Sequence, residues 1–513
     1  METLGDEPWD VVICGTGLQQ SLLALALSRS KKRILHLDPN DYYGENEAAF
    51  SLQEADGWAA THAGISIGEN SSNEAKAPTP SIRQNIFKNA SAWKHPEAAN
   101  LGLSFPRAYS LALAPQIIHT RSKLVEQLVS SRAYKQVEFL AVGSFYVYNA
   151  EATDASSKLA RIPSSREDVF STQSIPARSK RSLMKFLKFV MDYDSDEQRP
   201  LWQEQEDKPL SGFLTSEFKL DKNLQTYVLA LTLTLDGRVT VGGGLATIHR
   251  HLTSMGLFGP GFCAVYPKWG GSSEIAQVAC RAGAVGGGIY MLDTKAEIKD
   301  EPSGSEISLD LSNGLSVRTT KLVTSQTEAA ADAPTITRLV AVVNSPLKTL
   351  FEVIVEGAPT PAVAVVAFPG SSESSDGPIY ALVHSSDTGE CPAGQSAIYL
   401  TTQAAPKAVE RLESALRNLL TAATPADSST TPVCLYKLQY EQSLSARESS
   451  TTTRNGVSTL AFPSPSLSLA FDDGCLNAVR DAWKLVAGED ASEDEYMVFQ
   501  DREGIADDDD AYD

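Results

Sequence analysis

Hydrophobic and polar residues along this chain change period several times, and each change marks an element. Val11-Val12-Ile13-Cys14 is a β-branched apolar run that enters Gly15-Thr16-Gly17, where missing side chains allow a tight turn. Leu22, Leu23, Ala26 and Leu27 then recur at helical spacing, and Lys31-Lys32-Arg33 follows, where cations favour the negative end of the helix dipole. Ile34-Leu35-His36-Leu37 reads as a second strand ending on Asp38. This strand, turn, helix and strand form a βαβ opening of the dinucleotide-binding kind.

Downstream, residues 64–81 are rich in Ser, Asn, Gly and Pro and read as a solvated insertion. Residues 117–130 place Ile117, Leu124, Leu128 and Val129 near helical spacing, and 137–148 is strand-like with an irregularity at Gly143. From Pro163 the β pattern stops. Leu183, Phe186, Leu187 and Val190 define the buried face of a helix over about 177–193, and further helices are expected over 224–231 and 245–255. The block 163–258 therefore reads as an all-helical domain inserted into an α/β domain formed by 1–162 and 259–490. Beyond 262 the β pattern returns: strands are expected at 262–267, 307–311, 338–343, 362–368, 397–400 and 433–440, with helices over 272–284 and through Leu476, Val479, Trp483 and Val486. Residues 491–513, with Asp507 to Asp510, read as an acidic disordered tail.

Composition narrows the function classes. With 513 residues the chain has room for two or three domains. A formal net charge of −20 argues against passive attraction to nucleic acid or anionic lipid. The six cysteines lie far apart in sequence, without the close pairs of a zinc motif, which suits a reduced, cytoplasmic setting. The first residues lack the pattern of a signal peptide, no stretch reaches the roughly 18 apolar residues of a membrane span, and the final residues carry no lipidation cysteine. Membrane contact is therefore expected only transiently, through a partner or a bound lipid.

The candidate chemistry starts at the glycine turn. Gly15 and Gly17 occupy the first two glycine positions of a G-x-G-x-x-G pattern, but Gln20 stands at the third, where close helix–strand packing wants a small residue. Gln20 is expected to push the helix away or to project into the phosphate space. Asp38 lies about 20 residues beyond the turn, where an acid would meet a ribose hydroxyl. A retained scaffold that binds no nucleotide fits better than a working dinucleotide site. Asp473-Gly474 reverses the Gly-Asp order expected before the closing helix of a flavoenzyme. Seven histidines, His36 and His119 among them, show no triad pattern. Other residues suit interaction: Tyr42-Tyr43-Gly44 follows the second strand, at the sheet edge where open α/β folds present ligands. Glu274 and Arg281 share one helix face two turns apart. Phe170 is a large aromatic in a polar segment, either exposed for a partner or tucked under the helices.

Taken with three further blocks, this opening resembles the GDP-dissociation inhibitor and Rab escort protein superfamily. The blocks are RSKLVEQLVSSRAYKQVEF (121–139), KRSLMKFLKFVMDYD (180–194) and YPKWGGSSEIAQVACRAGAVGGGIYML (266–292), in the family's order, with the Asp473-Gly474-Cys475 region completing the chain. The resemblance implies an α/β fold related to flavin monooxygenases but without a flavin or other cofactor, and with a smaller helical domain. The segment Pro163 to Phe170, the insertion and the acidic tail are more similar to the escort branch than to the dissociation inhibitors. The escort resemblance implies a GDP-bound Rab held by Tyr43, Glu274 and Arg281, with Met291 as a weaker match. It also implies contact of Phe170 and Arg181 with the α subunit of Rab geranylgeranyltransferase, and a geranylgeranyl pocket in the helical domain supported by Leu183, Phe186, Leu187 and Val190. Such a protein is an accessory component and not itself a catalyst. The other readings are a Rab GDP-dissociation inhibitor and, further off, a flavin-dependent oxidoreductase. Two departures from the family pattern stand out: Ala276 replaces a proline at the start of the 272–284 helix, and Glu45 replaces a glycine after Gly44.

Overall fold

The computed structural model describes residues 7–64, 86–153, 157–163, 168–169, 175–299, 306–326, 333–370, 376–425, 431–444, 449–454, 457–464, 466–488 and 491–500. The expected insertion over 64–81 lies, apart from Gly64, outside them, as do Phe170 and residues 501–513.

Two fully buried four-residue strands, apolar but for His36, and a helix with no exposed residue build the opening unit: β1 (Val11–Cys14), α1 (Leu18–Leu27) and β2 (Ile34–Leu37). The strands pair in parallel within a six-stranded sheet whose order is Ile289–Met291, β2, β1, Lys321–Ser325, Val457–Phe462 and Ser450–Arg454. Only the last pairing is antiparallel. Alternation along the strands splits the sheet into two faces. Val11, Ile13 and Ile34 pack under α1 and the helices Ser272–Val285 and Cys475–Ala487. Val12, Cys14, Leu35 and Leu37 face a three-stranded antiparallel sheet, Ala296–Ile298, Ile307–Leu311 and Ser316–Thr319.

A second, ten-stranded mixed sheet carries the other half of the α/β body. Its central strands, Thr335–Val343 and Val363–Phe368, are buried almost throughout. The amphipathic helix Ala408–Ala422 covers one face with Leu412, Leu416 and Leu419, and the helix Leu52–His62 covers part of the other through Trp58, which meets Phe87 and Tyr440 edge-on. Between the strands of this sheet sits the helical block: Ala177–Met191, Leu210–Phe218, Lys222–Ala230 and Val241–Ser254. It has its own core, in which Phe186, Phe189, Phe213 and Phe218 meet ring against ring. Asp221 and Thr240 cap the starts of the last two helices by accepting from the backbone amides of Leu224 (3.0 Å) and Gly243 (3.3 Å).

Two expectations change. The helix expected over 117–130 begins only at Lys123; Ile118–His119 is a short strand, and Val129 is exposed. Ser122 caps the helix through the Leu124 amide, so the apolar residues before it belong to the sheet. Residues 491–500, expected in a disordered tail, pack instead: Tyr496, Met497 and Phe499 join the core formed with α1 and the Cys475–Ala487 helix. Three acidic residues, Glu493 to Glu495, open that stretch, and the three large apolar side chains that follow are enough to anchor it.

Candidate functional site

The carboxyl-terminal edge of the parallel sheet is where the glycine turn, Asp38 and Tyr43 meet, and its chemistry is set by three acids, the buried Asp38 and Glu47 and the partly buried Glu45. Gly15 adopts φ +98°, closed to most side chains, and its amide donates to the Leu37 carbonyl at 2.7 Å. The space above it is filled. A Cβ placed on Gly15 would come within 2.8 Å of all three carboxyl atoms of Glu45, and one on Gly17 within 2.9 Å of Glu45 Oε2. Glu47 Oε2 accepts from the Leu18 amide at 3.3 Å, taking a free N–H at the start of α1. Glu45 and Glu47 thus stand where a pyrophosphate would have to approach.

Asp38 is equally committed. It accepts from the Thr16 amide (2.7 Å), the Thr16 hydroxyl (2.6 Å) and the Asn40 amide (2.8 Å). Burial raises the pKa of all three acids. Glu45 is pushed well above the ordinary carboxyl range by desolvation and then by Asp38 and Glu47; Glu47 is raised to about 7, with the Leu18 amide opposing. Gln20 neither displaces the helix nor projects into the phosphate space: it is buried and donates to Ser325 Oγ on the neighbouring strand, and that hydroxyl reaches Glu45 Oε2 at 3.3 Å. A nucleotide pyrophosphate does not fit these residues, because two carboxyl groups fill the space over the turn and the Thr16 and Leu18 amides are already engaged.

The interaction residues gather around this filled turn. Tyr43 is partly exposed, and its hydroxyl is raised by burial and then by the neighbouring Cys280 thiol and Asp38 carboxylate. Cys280 belongs to the helix Ser272–Val285, which rides on α1; its Sγ lies 3.2 Å from Ser21 Oγ. Gly283 keeps this junction open, since a Cβ there would come within 3.3 Å of Ala24 Cβ on α1 and would collide with the Tyr290 hydroxyl on the edge strand. The same helix carries Glu274 and Arg281. Glu274 is half-buried, its carboxyl raised by desolvation and lowered by Arg281, which is exposed. The helix starts at Ser272 behind Gly271 (φ +66°), and Ala276, where the family pattern has proline, is fully buried.

Met291 is placed differently. It ends the edge strand Ile289–Met291 and its carbonyl accepts from the Asp38 amide at 3.0 Å, but its side chain packs with Leu35 and Leu37 on the sheet face away from the Ser272–Val285 helix. The helix that carries Glu274 and Arg281 packs on the sheet face opposite Met291, and Tyr43 lies near Cys280 of that helix. In the helical block, Arg181 is exposed near the start of Ala177–Met191. Leu183, Phe186 and Val190 sit in the core and Leu187 at its margin. Phe170 lies outside the described residues. Its neighbour Val169 is buried in the helical core, and Asp168 makes a two-pronged ion pair with Arg161 at 2.6 and 2.7 Å.

A buried network that periodicity gives no hint of supports the loop before the Ser272–Val285 helix. Glu390 accepts from the hydroxyls of Tyr266 (2.7 Å) and Tyr399 (2.8 Å) and pairs with His384 Nδ1 at 2.7 Å. Tyr266 backs Gly271, and Gly389 lies flat against the ring of Trp269, half exposed on the surface. Trp269 itself, at φ +70°, is held by its amide to the Thr388 carbonyl at 2.8 Å.

Comparisons with known proteins identify the family and the fold. The chain is 30% identical over 418 residues to "Rab proteins geranylgeranyltransferase component A" of Saccharomyces cerevisiae, a match covering 79% of this chain and 64% of the yeast protein. It is 25% identical over 545 residues to "Rab escort protein 1" of Arabidopsis thaliana, covering 95% of this chain and 94% of that one. Among solved structures, Rab GDI from Plasmodium falciparum superposes with a TM-score of 0.64 at 17% identity, covering 94% of this chain and 98% of the other, which establishes a shared fold. The family model described as "GDP dissociation inhibitor" matches residues 5–62 and 78–353, more than half of the sequence, and the chain belongs to that family.

Proposed function

We propose that this protein is a Rab escort protein. It binds a newly made, GDP-bound Rab at the sheet edge through Tyr43, Glu274 and Arg281, with Met291 supporting the edge strand from behind. It presents the Rab to Rab geranylgeranyltransferase through Phe170 and Arg181, which meet the transferase α subunit, and then carries the lipidated product to membranes. It supplies no catalytic group. The observation that carries this reading is the match to the Arabidopsis Rab escort protein over nearly the full length of both chains, joined to a glycine turn whose phosphate space is occupied by Glu45 and Glu47.

The lipid step has a physical basis. Each CH₂ of a geranylgeranyl chain exposed to water costs about 0.8 kcal/mol, so a soluble carrier must offer apolar cover. Leu183, Phe186 and Val190 already pack against the other helices, so a prenyl chain enters by spreading the Ala177–Met191 helix from its neighbours. No helix among the described residues is long and apolar enough to cross a membrane, which is consistent with membrane contact made through the cargo.

The family match and the Plasmodium structure favour one other reading, a Rab GDP-dissociation inhibitor that handles prenylated Rab without the transferase. Reconstituted Rab prenylation separates the two. Adding the full chain to the transferase α/β heterodimer, a Rab and a geranylgeranyl donor should raise lipid incorporation at least tenfold; incorporation equal to the control without this chain would rule out the escort role.

A further inference from the structure

Three side chains far apart in sequence meet at the seam between the helical block and the ten-stranded sheet. His119 ends the strand Ile118–His119, Cys263 immediately precedes the strand Ala264–Pro267 that pairs with it, and His251 lies in the last turn of the helix Val241–Ser254. Their donor atoms all lie within 4.8 Å of one another, and Cys263 Sγ is already 3.4 Å from His251 Nδ1. All three are buried, with His119 only 1% exposed. Neither ring nitrogen of His119 has a hydrogen-bond partner. An unsatisfied buried polar group is costly, and here two such atoms belong to one ring that faces a thiol and a second imidazole.

We propose that His119, His251 and Cys263 form a zinc(II) site that clamps the last helix of the helical block to the sheet. Two imidazoles and a thiolate are a donor set suited to this borderline-soft cation, and a water completes a tetrahedron. Tetrahedral zinc holds its donors about 3.3 to 3.6 Å apart; the Cys263–His251 pair meets that now, and His119 needs to close by about 1 Å. Zinc takes Cys263 as the thiolate, its proton released to solvent, and both histidines as neutral imidazoles. The charged side chain beside the site, Arg250, is directed to the Phe471 carbonyl at 3.1 Å and toward Asp473 at 3.9 Å. The seam around the site is well ordered: Thr120 Oγ1 donates to the Ser254 carbonyl at 2.7 Å, Arg121 Nε to that of Thr253 at 2.7 Å, and Phe145 packs edge-on against His251.

The test uses the full chain without an affinity tag. After equilibration with zinc and removal of free metal, elemental analysis should find about one zinc per chain, and cobalt(II) in its place should show the intense visible bands of tetrahedral cobalt and a thiolate charge-transfer band. Cys263→Ser should abolish the charge-transfer band, and His119→Gln should lower zinc retention at least tenfold. Absence of retained zinc and of the cobalt bands in the unmodified chain would overturn the site without reference to any variant. An undiminished charge-transfer band in Cys263→Ser would overturn it equally, by placing the metal elsewhere.

Discussion

Glu45 and Glu47 put two carboxyls over the glycine turn that opens the chain, and their protonation is tied to folding. Glu47 is raised to about 7 by burial. A carboxyl raised in the folded state keeps a proton that the unfolded chain releases, so its favourable contribution is complete below the ordinary carboxyl pKa and is lost as pH rises toward 7. Glu47→Gln should match the unmodified chain at pH 4.5 and become more stable than it at pH 8, by on the order of 3 kcal/mol, read as a difference in thermal or denaturant midpoints. A difference that does not change with pH would show that Glu47 ionises normally. At the same scale, Glu390 holds two tyrosine hydroxyls and His384 inside the protein. Glu390→Gln should cost about 1–3 kcal/mol, the range for leaving buried hydrogen-bonding groups without a partner. Circular dichroism melting would measure it.

At the scale of elements, the short carboxyl-terminal segment behaves as part of the core. Met497 is fully buried, Phe499 receives the guanidinium of Arg29 at 4.6 Å, and the Phe499 amide donates to the Ser130 carbonyl at 3.0 Å. Met497→Ala should destabilise by about 2–5 kcal/mol, and deletion from residue 491 onward should do at least as much by uncovering α1 and the Cys475–Ala487 helix. Denaturant unfolding of the two variants checks both. The helix Ser272–Val285 shows the opposite dependence: its buried side, Ile275, Val278 and Ala279, fixes it to α1, while Arg281 on the exposed side contributes little to stability. Arg281→Glu should therefore leave the melting midpoint within about 0.5 kcal/mol and weaken Rab binding at least tenfold, measured by titration with GDP-bound Rab. Equal binding by the variant would remove Arg281 from the proposed platform.

Across the whole molecule, sequence and tertiary structure decided different things. The βαβ opening, the amphipathic helices Ala177–Met191 and Cys475–Ala487, and the strand Ile307–Leu311 follow from local periodicity, because each places its apolar residues on one face or in one short run. The interior strands Lys321–Ser325 and Val457–Phe462 escaped that reading, since a five- or six-residue strand mixing Thr and Ser with apolar residues carries too little pattern. The defective glycine turn was also legible, through Gln20. What replaces the phosphate was not: that Glu45 bends back over Gly15 depends on the positive φ of Gly44 and Glu45 and on Ser325 arriving from a strand about 300 residues away. Strand alternation then turns Met291 to the sheet face opposite the helix that carries Glu274 and Arg281. Likewise, positions 119, 251 and 263 have no motif spacing, and only the pairing of two short strands beneath the end of one helix brings their nitrogen and sulfur atoms together. Sequence by itself determined the local elements and the family, because both rest on short-range pattern. Chain crossings decided the rest, because the occupant of a turn and the members of a buried cluster are chosen by residues distant along the chain.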